Sequence, residues 1–164
     1  MSSLTSPKNA LPLAGVLIAI VVLLVGLRAS SGPPKAVSAN LSGTKITVYK
    51  SPTCGCCANY IAYLKRAGLE VETITTTEME AVKNKMGVPT GFTSCHTSEI
   101  GGYTAEGHIP LEALSKLVAE RPSLAGIALP GMPSGSPGMP GAKQGPWSIY
   151  GWSANTNPEL YTES

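Results

Sequence analysis

The chain has 164 residues, 13% of them charged, and a formal net charge of +2. This length allows one compact domain with extensions, but not two full domains. From residue 40 onward there are nine Lys and Arg against ten Glu, so no basic surface is available and a nucleic-acid-binding class is disfavoured. The chain also lacks the catalytic acid–base pairs of a hydrolase and any phosphate-binding glycine loop.

Residues 10–27 (ALPLAGVLIAIVVLLVGL) carry no charge. As a helix they would span roughly 27 Å, close to the thickness of a bilayer core. Basic residues flank both ends, which weakens the signal for membrane orientation, but the short N-terminus favours a cytoplasmic location of this end. We expect residues 1–28 to be a cytoplasmic start and a single transmembrane anchor, with the rest of the chain outside the cytoplasm. The alternative is a signal segment cut near Ala29, which would leave a soluble exported protein.

The region after the anchor begins with a small, polar stretch, residues 29–43, that is typical of a linker. Residues 44–125 then alternate between strand and helix patterns. The expected elements are a strand at 45–49, a helix at 56–67, a strand at 69–75, a helix at 77–86, two short strands of a hairpin within 92–108, and a helix at 110–120. This order, β-α-β-α-β-β-α, predicts an α/β, thioredoxin-like domain whose helices cover a small sheet.

Residues 126–164 are expected to form a C-terminal extension. Ten of the 17 residues from 130 to 146 are Gly or Pro, which excludes regular structure there, and the motif Pro-Gly-Met-Pro occurs twice. The segment 147–152 (WSIYGW) contains both Trp residues of the chain. We expect this aromatic tail to dock either on the domain or on a partner.

The motif Cys54-Gly55-Cys56-Cys57 lies between a predicted strand and a predicted helix. The N-terminus of a helix favours thiolates, which are nucleophiles and soft metal ligands. Cys54 and Cys57 have the spacing of a redox dithiol, whereas the additional Cys56 favours soft ions such as Cu(I). The alternative is a pair of structural disulfides, the default for four exported cysteines, but adjacent cysteines rarely bridge each other.

Cys95 and His96 lie near the start of the region of the predicted hairpin, and in this element order the segment before the hairpin passes close to the cysteine turn. Cys95 would then add a fourth sulfur and His96 an imidazole. The alternative, suggested by the Cys-His pair taken alone, is a buried thiol beside an ordinary histidine. His108, just before the last helix, is a further candidate ligand or a surface residue. Met132 and Met139 in the twin motifs offer thioethers to Cu(I), and a plain Pro-rich linker is the alternative.

Together, these motifs resemble the CopG-like family of bacterial periplasmic metal-binding proteins, formerly a domain of unknown function associated with copper resistance. The resemblance covers residues 45–139. It rests on residues 49–57, 88–89, 94–97, 102–103, 106–110, 130–133 and 135–139. It implies a thioredoxin-like fold, a copper site built from the four cysteines with histidine help, and a role in handling excess copper.

The function we expect is that of an extracytoplasmic copper-binding protein, anchored in the bacterial inner membrane or soluble in the periplasm, that sequesters or handles copper ions. The predicted ligands are Cys54, Cys56, Cys57, Cys95, His96 and His108, with Met132 and Met139 as additional candidates. Zinc is a less favoured metal. One alternative is a thiol-disulfide or copper oxidoreductase in which Cys54 and Cys57 are catalytic, and another is an accessory subunit of a membrane complex.

Overall fold

The computed structural model describes residues 40–154 and 156–164. The predicted anchor at residues 10–27 and most of the predicted linker, residues 29–39, lie outside these residues. Within the described ranges, no helix is long and apolar enough to cross a membrane.

The described chain is a mixed α/β structure with one seven-stranded sheet and three helices. The mixed class is confirmed, and the order β-α-β-α-β-β-α is found from the first strand through the third helix. Three further strands follow that are not expected from the sequence. The elements are β1 (Lys45–Lys50), α1 (Gly55–Arg66), β2 (Glu70–Thr75), α2 (Met79–Lys85), β3 (His96–Ile100), β4 (Tyr103–Glu106), α3 (Leu111–Glu120), β5 (Gly126–Ala128), β6 (Ser148–Trp152) and β7 (Glu159–Glu163).

The strand order of the sheet is β2-β1-β3-β4-β5-β6-β7. Strand β1 runs parallel to β2 and antiparallel to β3, and their register pairs Lys50 with His96. The end of β1 and the beginning of β3 therefore lie side by side. This placement brings the cysteine turn that follows β1 next to Cys95, which immediately precedes β3.

The main core lies between the sheet and the apolar faces of α1 and α3. Ile46 and Val48 of β1 are fully buried, as are Tyr60 and Leu64 of α1. In α3 the apolar residues recur at helical spacing and are also buried. Their burial fixes the start of α1, and with it the cysteine turn, against the sheet.

The C-terminal region continues the same sheet. Residues 130–146, which we call the strap, contain no helix or strand, as their Gly and Pro content predicts. Strand β6 pairs with β5, and Ile149 and Trp152 are buried, so the aromatic tail docks on the domain itself. The sheet thus extends beyond residue 125, the predicted end of the thioredoxin-like part.

Candidate metal centre

The cysteine motif forms a turn that opens α1. Cys54 is the N-cap residue of this helix and makes no side-chain capping hydrogen bond. A disulfide joins Cys54 to Cys57 across the first helical turn, with 5.5 Å between their Cα atoms. Cys56 remains a free, partly exposed thiol, and Cys57 is buried. The structure therefore pairs the two cysteines that have redox spacing and leaves the third one free.

Cys95 completes a cluster of four sulfur atoms. Its Sγ lies 3.6 Å from Cys56 Sγ and 3.7 Å from Cys57 Sγ, while Cys54 Sγ lies 3.5 Å from Cys56 Sγ. All four sulfur atoms are within 4.8 Å of one another. The segment before the hairpin thus meets the cysteine turn, as the element order predicts.

Both histidines lie next to Cys95. Cys95 Sγ is 3.4 Å from His96 Nδ1 and 3.2 Å from His108 Nε2, and both imidazoles are buried. Their rings pack against each other at 4.8 Å and against Tyr60 at 4.6 and 5.3 Å between centroids. Cys95 is therefore the one side chain shared by the sulfur cluster and the imidazole pair.

A carbonyl of the strap determines which nitrogen of His108 faces the cluster. His108 Nδ1–H donates to the Pro137 carbonyl at 2.6 Å, so the unprotonated Nε2 points at Cys95 Sγ. This is the arrangement in which a second hydrogen bond orients a metal-binding imidazole. The buried Nε2 of His96 has no hydrogen-bond partner.

The surroundings keep these groups uncharged in the metal-free protein. Burial, followed by repulsion from His108 and Lys83, lowers the pKa of His96 to about 3. Burial also lowers the pKa of His108, against the opposing effect of the Pro137 carbonyl. Burial first, and then the nearby Cys56 thiol, raises the pKa of Cys95 to about 12. Neutral imidazoles are ready to bind a metal, whereas Cys95 must lose a proton to do so.

The strap closes one side of the site. Asn59 Nδ2 donates to the Gly138 carbonyl at 3.4 Å, and a Cβ on Gly138 would lie 2.6 Å from the backbone nitrogen of Tyr60. Next to this contact, Met139 and Cys56 line the same open cleft. Met132 does not line this cleft and is 37% exposed.

A group of polar side chains next to the cluster was not predicted from the sequence. Lys83 and Glu106 form a buried ion pair, and Thr97 hydrogen-bonds to both. The available signal was a single carboxylate in the otherwise uncharged strand β4, directly before Gly107 and His108. Which lysine would pair with it could not be predicted without the packing of α2 against the sheet.

These features define a mixed α/β protein with a cysteine- and histidine-lined candidate site for a soft metal ion. A family model described as "Protein of unknown function, DUF411" matches residues 92–139. Two solved structures, "Copper resistance protein copG- Form 2" and "Form 1", are each 38% identical, with TM-scores of 0.69. Each match covers 75% of this chain, and the matches cover 99% and 98% of the chains of the two relatives, respectively. A comparison with curated proteins gave no match. The chain belongs to the CopG family of copper resistance proteins, which confirms the resemblance found in the sequence.

Proposed function

We propose that this protein binds copper as Cu(I) and handles excess copper outside the cytoplasm. The observation that carries the proposal is the convergence of three other cysteine sulfurs and two neutral imidazoles on Cys95. The titles of both structural relatives name copper resistance, which agrees with this use of the site. The proposed ligands are Cys54, Cys56, Cys57 and Cys95, assisted by His96 and His108.

The donor set favours Cu(I) because thiolates are soft ligands and each sulfur can bridge two ions. Cys56 and Cys57 are adjacent in sequence, and each lies within 3.7 Å of Cys95 Sγ. A compact group of bridging thiolates therefore suits several soft ions better than the single ion of a structural zinc site. Elemental analysis of protein purified without oxygen distinguishes the two metals and gives the number of ions bound.

The disulfide must open before all four sulfurs can bind. A dithiol reductant supplies two electrons and two protons, which converts the Cys54–Cys57 disulfide into two thiols and leaves the reductant oxidised. Each thiol then releases its proton as it binds a copper ion. We expect the reduced protein to bind more copper than the oxidised protein, in which only Cys56 and Cys95 are free thiols.

Single Cys→Ser variants test whether the site is a copper cluster. In such a cluster, Cys56→Ser reduces bound copper and copper tolerance about as severely as Cys54→Ser, because each loss removes a bridging sulfur. The measurements are copper per protein and growth under copper stress, with Ser98→Ala, which alters a buried hydroxyl of β3, as the control. Wild-type copper binding and tolerance in Cys56→Ser, with failure of Cys54→Ser, would contradict the cluster.

Thiol-disulfide or copper oxidoreductase activity is the second candidate. A Cys54–Cys57 disulfide at the N-terminus of α1 favours it, since a helix N-terminus stabilises a leaving or attacking thiolate. In this case Cys54 and Cys57 cycle, and Cys56→Ser leaves thiol-disulfide exchange nearly intact. The same variants therefore distinguish the two candidates.

We further propose that residues 10–27 hold the domain at the outer face of a bacterial inner membrane, with a soluble periplasmic form as the alternative. The protein could then also serve as an accessory subunit of a membrane complex. Met139 is proposed as an additional thioether ligand, which its position in the same cleft as Cys56 supports. Met132, exposed and outside that cleft, has less support as a ligand.

A further inference from the structure

A buried ion pair lies next to the segment that carries Cys95 and His96, and neither of its residues is a proposed metal ligand. Lys83 of α2 and Glu106 of β4 expose 5% and 0% of their side chains, with 2.5 Å between Nζ and Oε1. Of the ion pairs in the described part of the chain, this is the only one with both partners buried. Desolvation offsets much of the attraction in such a pair, and apolar residues of similar volume often stabilise a fold equally well. Stability is therefore a weak explanation for its presence.

The Glu106 carboxylate accepts hydrogen bonds on both sides of the candidate ligands Cys95 and His96. Its Oε1 accepts a hydrogen bond from the Ser94 backbone N–H at 2.5 Å, and its Oε2 accepts one from the Thr97 hydroxyl at 2.6 Å. Ser94 and Thr97 are the residues immediately before and after Cys95 and His96. One carboxylate thus restrains both ends of the dipeptide that supplies a sulfur and an imidazole.

Lys83 holds this carboxylate in place. Its Nζ donates to Glu106 Oε1 and also to Thr97 Oγ1, at 2.9 Å. The segment that carries His108 is connected to the same hydrogen-bond network, because the backbone N–H of Gly107 donates to the His96 carbonyl at 3.1 Å. The positions of Cys95, His96 and the chain leading to His108 therefore depend on one network.

We propose that Glu106, held by Lys83, is a positioning residue that presets Cys95 Sγ and His96 Nδ1 for Cu(I) through its hydrogen bonds to Ser94 and Thr97. This inference rests on the proposed copper binding. Residues that orient metal ligands from outside the coordination shell typically change metal affinity by about 10- to 100-fold when they are replaced. A loss of Cu(I) affinity of this size is expected when the hydrogen bonds from Ser94 and Thr97 to Glu106 are removed.

Two double variants separate the hydrogen bonds from the charges. Lys83→Met with Glu106→Gln removes both charges, but the amide can still accept from the Ser94 N–H and donate to the Thr97 hydroxyl. Lys83→Met with Glu106→Leu is equally neutral and makes neither bond. We expect the Gln form to keep Cu(I) affinity within about 3-fold of wild type and the Leu form to lose about 10- to 100-fold.

The readouts are competition with a Cu(I) chelator, circular dichroism for folding, and amide hydrogen exchange at Ser94 in the metal-free protein. Exchange at Ser94 should be fast only in the Leu form. The matched control is Glu120→Gln, which makes the same chemical change in the exposed Lys116–Glu120 pair and should leave affinity unchanged. If the Leu form does not fold, Thr97→Val removes one of the two bracketing bonds and should give a smaller loss.

Wild-type affinity in a folded Leu form would overturn the inference, as would an equal loss in both double variants, which would assign the effect to charge. If Thr97→Val, used in place of an unfolded Leu form, binds Cu(I) as wild type, the inference also fails. Absence of Cu(I) binding by the wild-type protein would instead reject the proposed function. The exchange measurement at Ser94 needs no metal, so the two failures are distinguishable.

Discussion

Acidification should destabilise the metal-free protein through His96. This imidazole is fully buried, and burial together with repulsion from His108 and Lys83 lowers its pKa from 6.5 to about 3. Because the folded state binds the proton less well than the unfolded state, the stabilising contribution is complete above pH 6.5. It is lost progressively as the pH falls from 6.5 towards 3.

The magnitude at pH 5 follows from the pKa of the unfolded chain alone. At about 1.5 pH units below 6.5 the unfolded imidazole is almost wholly protonated, while the folded one stays neutral. At 1.36 kcal/mol per unit, the free energy of unfolding falls by about 2 kcal/mol between pH 7.5 and pH 5. In urea denaturation this corresponds to a midpoint lower by roughly 1 M.

The assay compares the urea midpoints of wild type and His96→Phe at pH 7.5 and pH 5, on oxidised protein with a chelator present. Phenylalanine keeps a flat ring beside Tyr60 but cannot take up a proton. The variant should lose about 2 kcal/mol less than wild type over this interval, whereas the contribution of His108 remains in both proteins. Equal pH dependence in the two proteins would refute the reasoning.

Three further predictions concern the ligands, the strap and the anchor. Cys95→Ser should lower the copper content of a folded protein, measured by elemental analysis and circular dichroism, and unchanged copper would confine the site to the cysteine turn. Gly138→Ala should destabilise the fold by at least ~1–2 kcal/mol, because φ is +84° and the new Cβ would clash with the backbone of Tyr60. Gly145→Ala, which has open space, is its control in thermal unfolding, and equal melting temperatures would show that the strap does not pack as described. If residues 10–27 form a retained anchor, the protein should fractionate with membranes and resist high-salt extraction, and recovery as a soluble periplasmic protein would contradict this.

Much of the fold could be predicted from local patterns. The alternation in β1 and the apolar spacing in α1 and α3 each reflect the burial of one face. Such a pattern can be recognised within a short stretch of sequence. Their order along the chain then predicted a mixed α/β domain. Strands β5, β6 and β7 were missed because β5 has only three residues and because the glycine- and proline-rich strap separates it from β6.

The residues of the candidate site were also readable from the sequence, because cysteine and histidine carry soft-metal chemistry wherever they occur. Their proximity depends on the sheet. The pairing of Lys50 with His96 places the cysteine turn and Cys95, about 40 residues apart in sequence, at the same end of the neighbouring strands β1 and β3. Local sequence cannot determine such pairing, since it depends on which strands become neighbours in the packed core.

By itself, then, the sequence determined the element types from β1 to α3, the irregular strap and the identity of the cysteine and histidine ligand candidates. Only the tertiary structure decided that Cys95 is the residue common to the sulfur cluster and the imidazole pair, that the Pro137 carbonyl orients His108, and that Lys83 meets Glu106 behind them. The physical reason is range. Element type depends on neighbours a few residues apart, whereas these contacts, except that between the adjacent Cys95 and His96, join residues 13 to 39 positions apart. Their proximity depends on the packing of the whole domain.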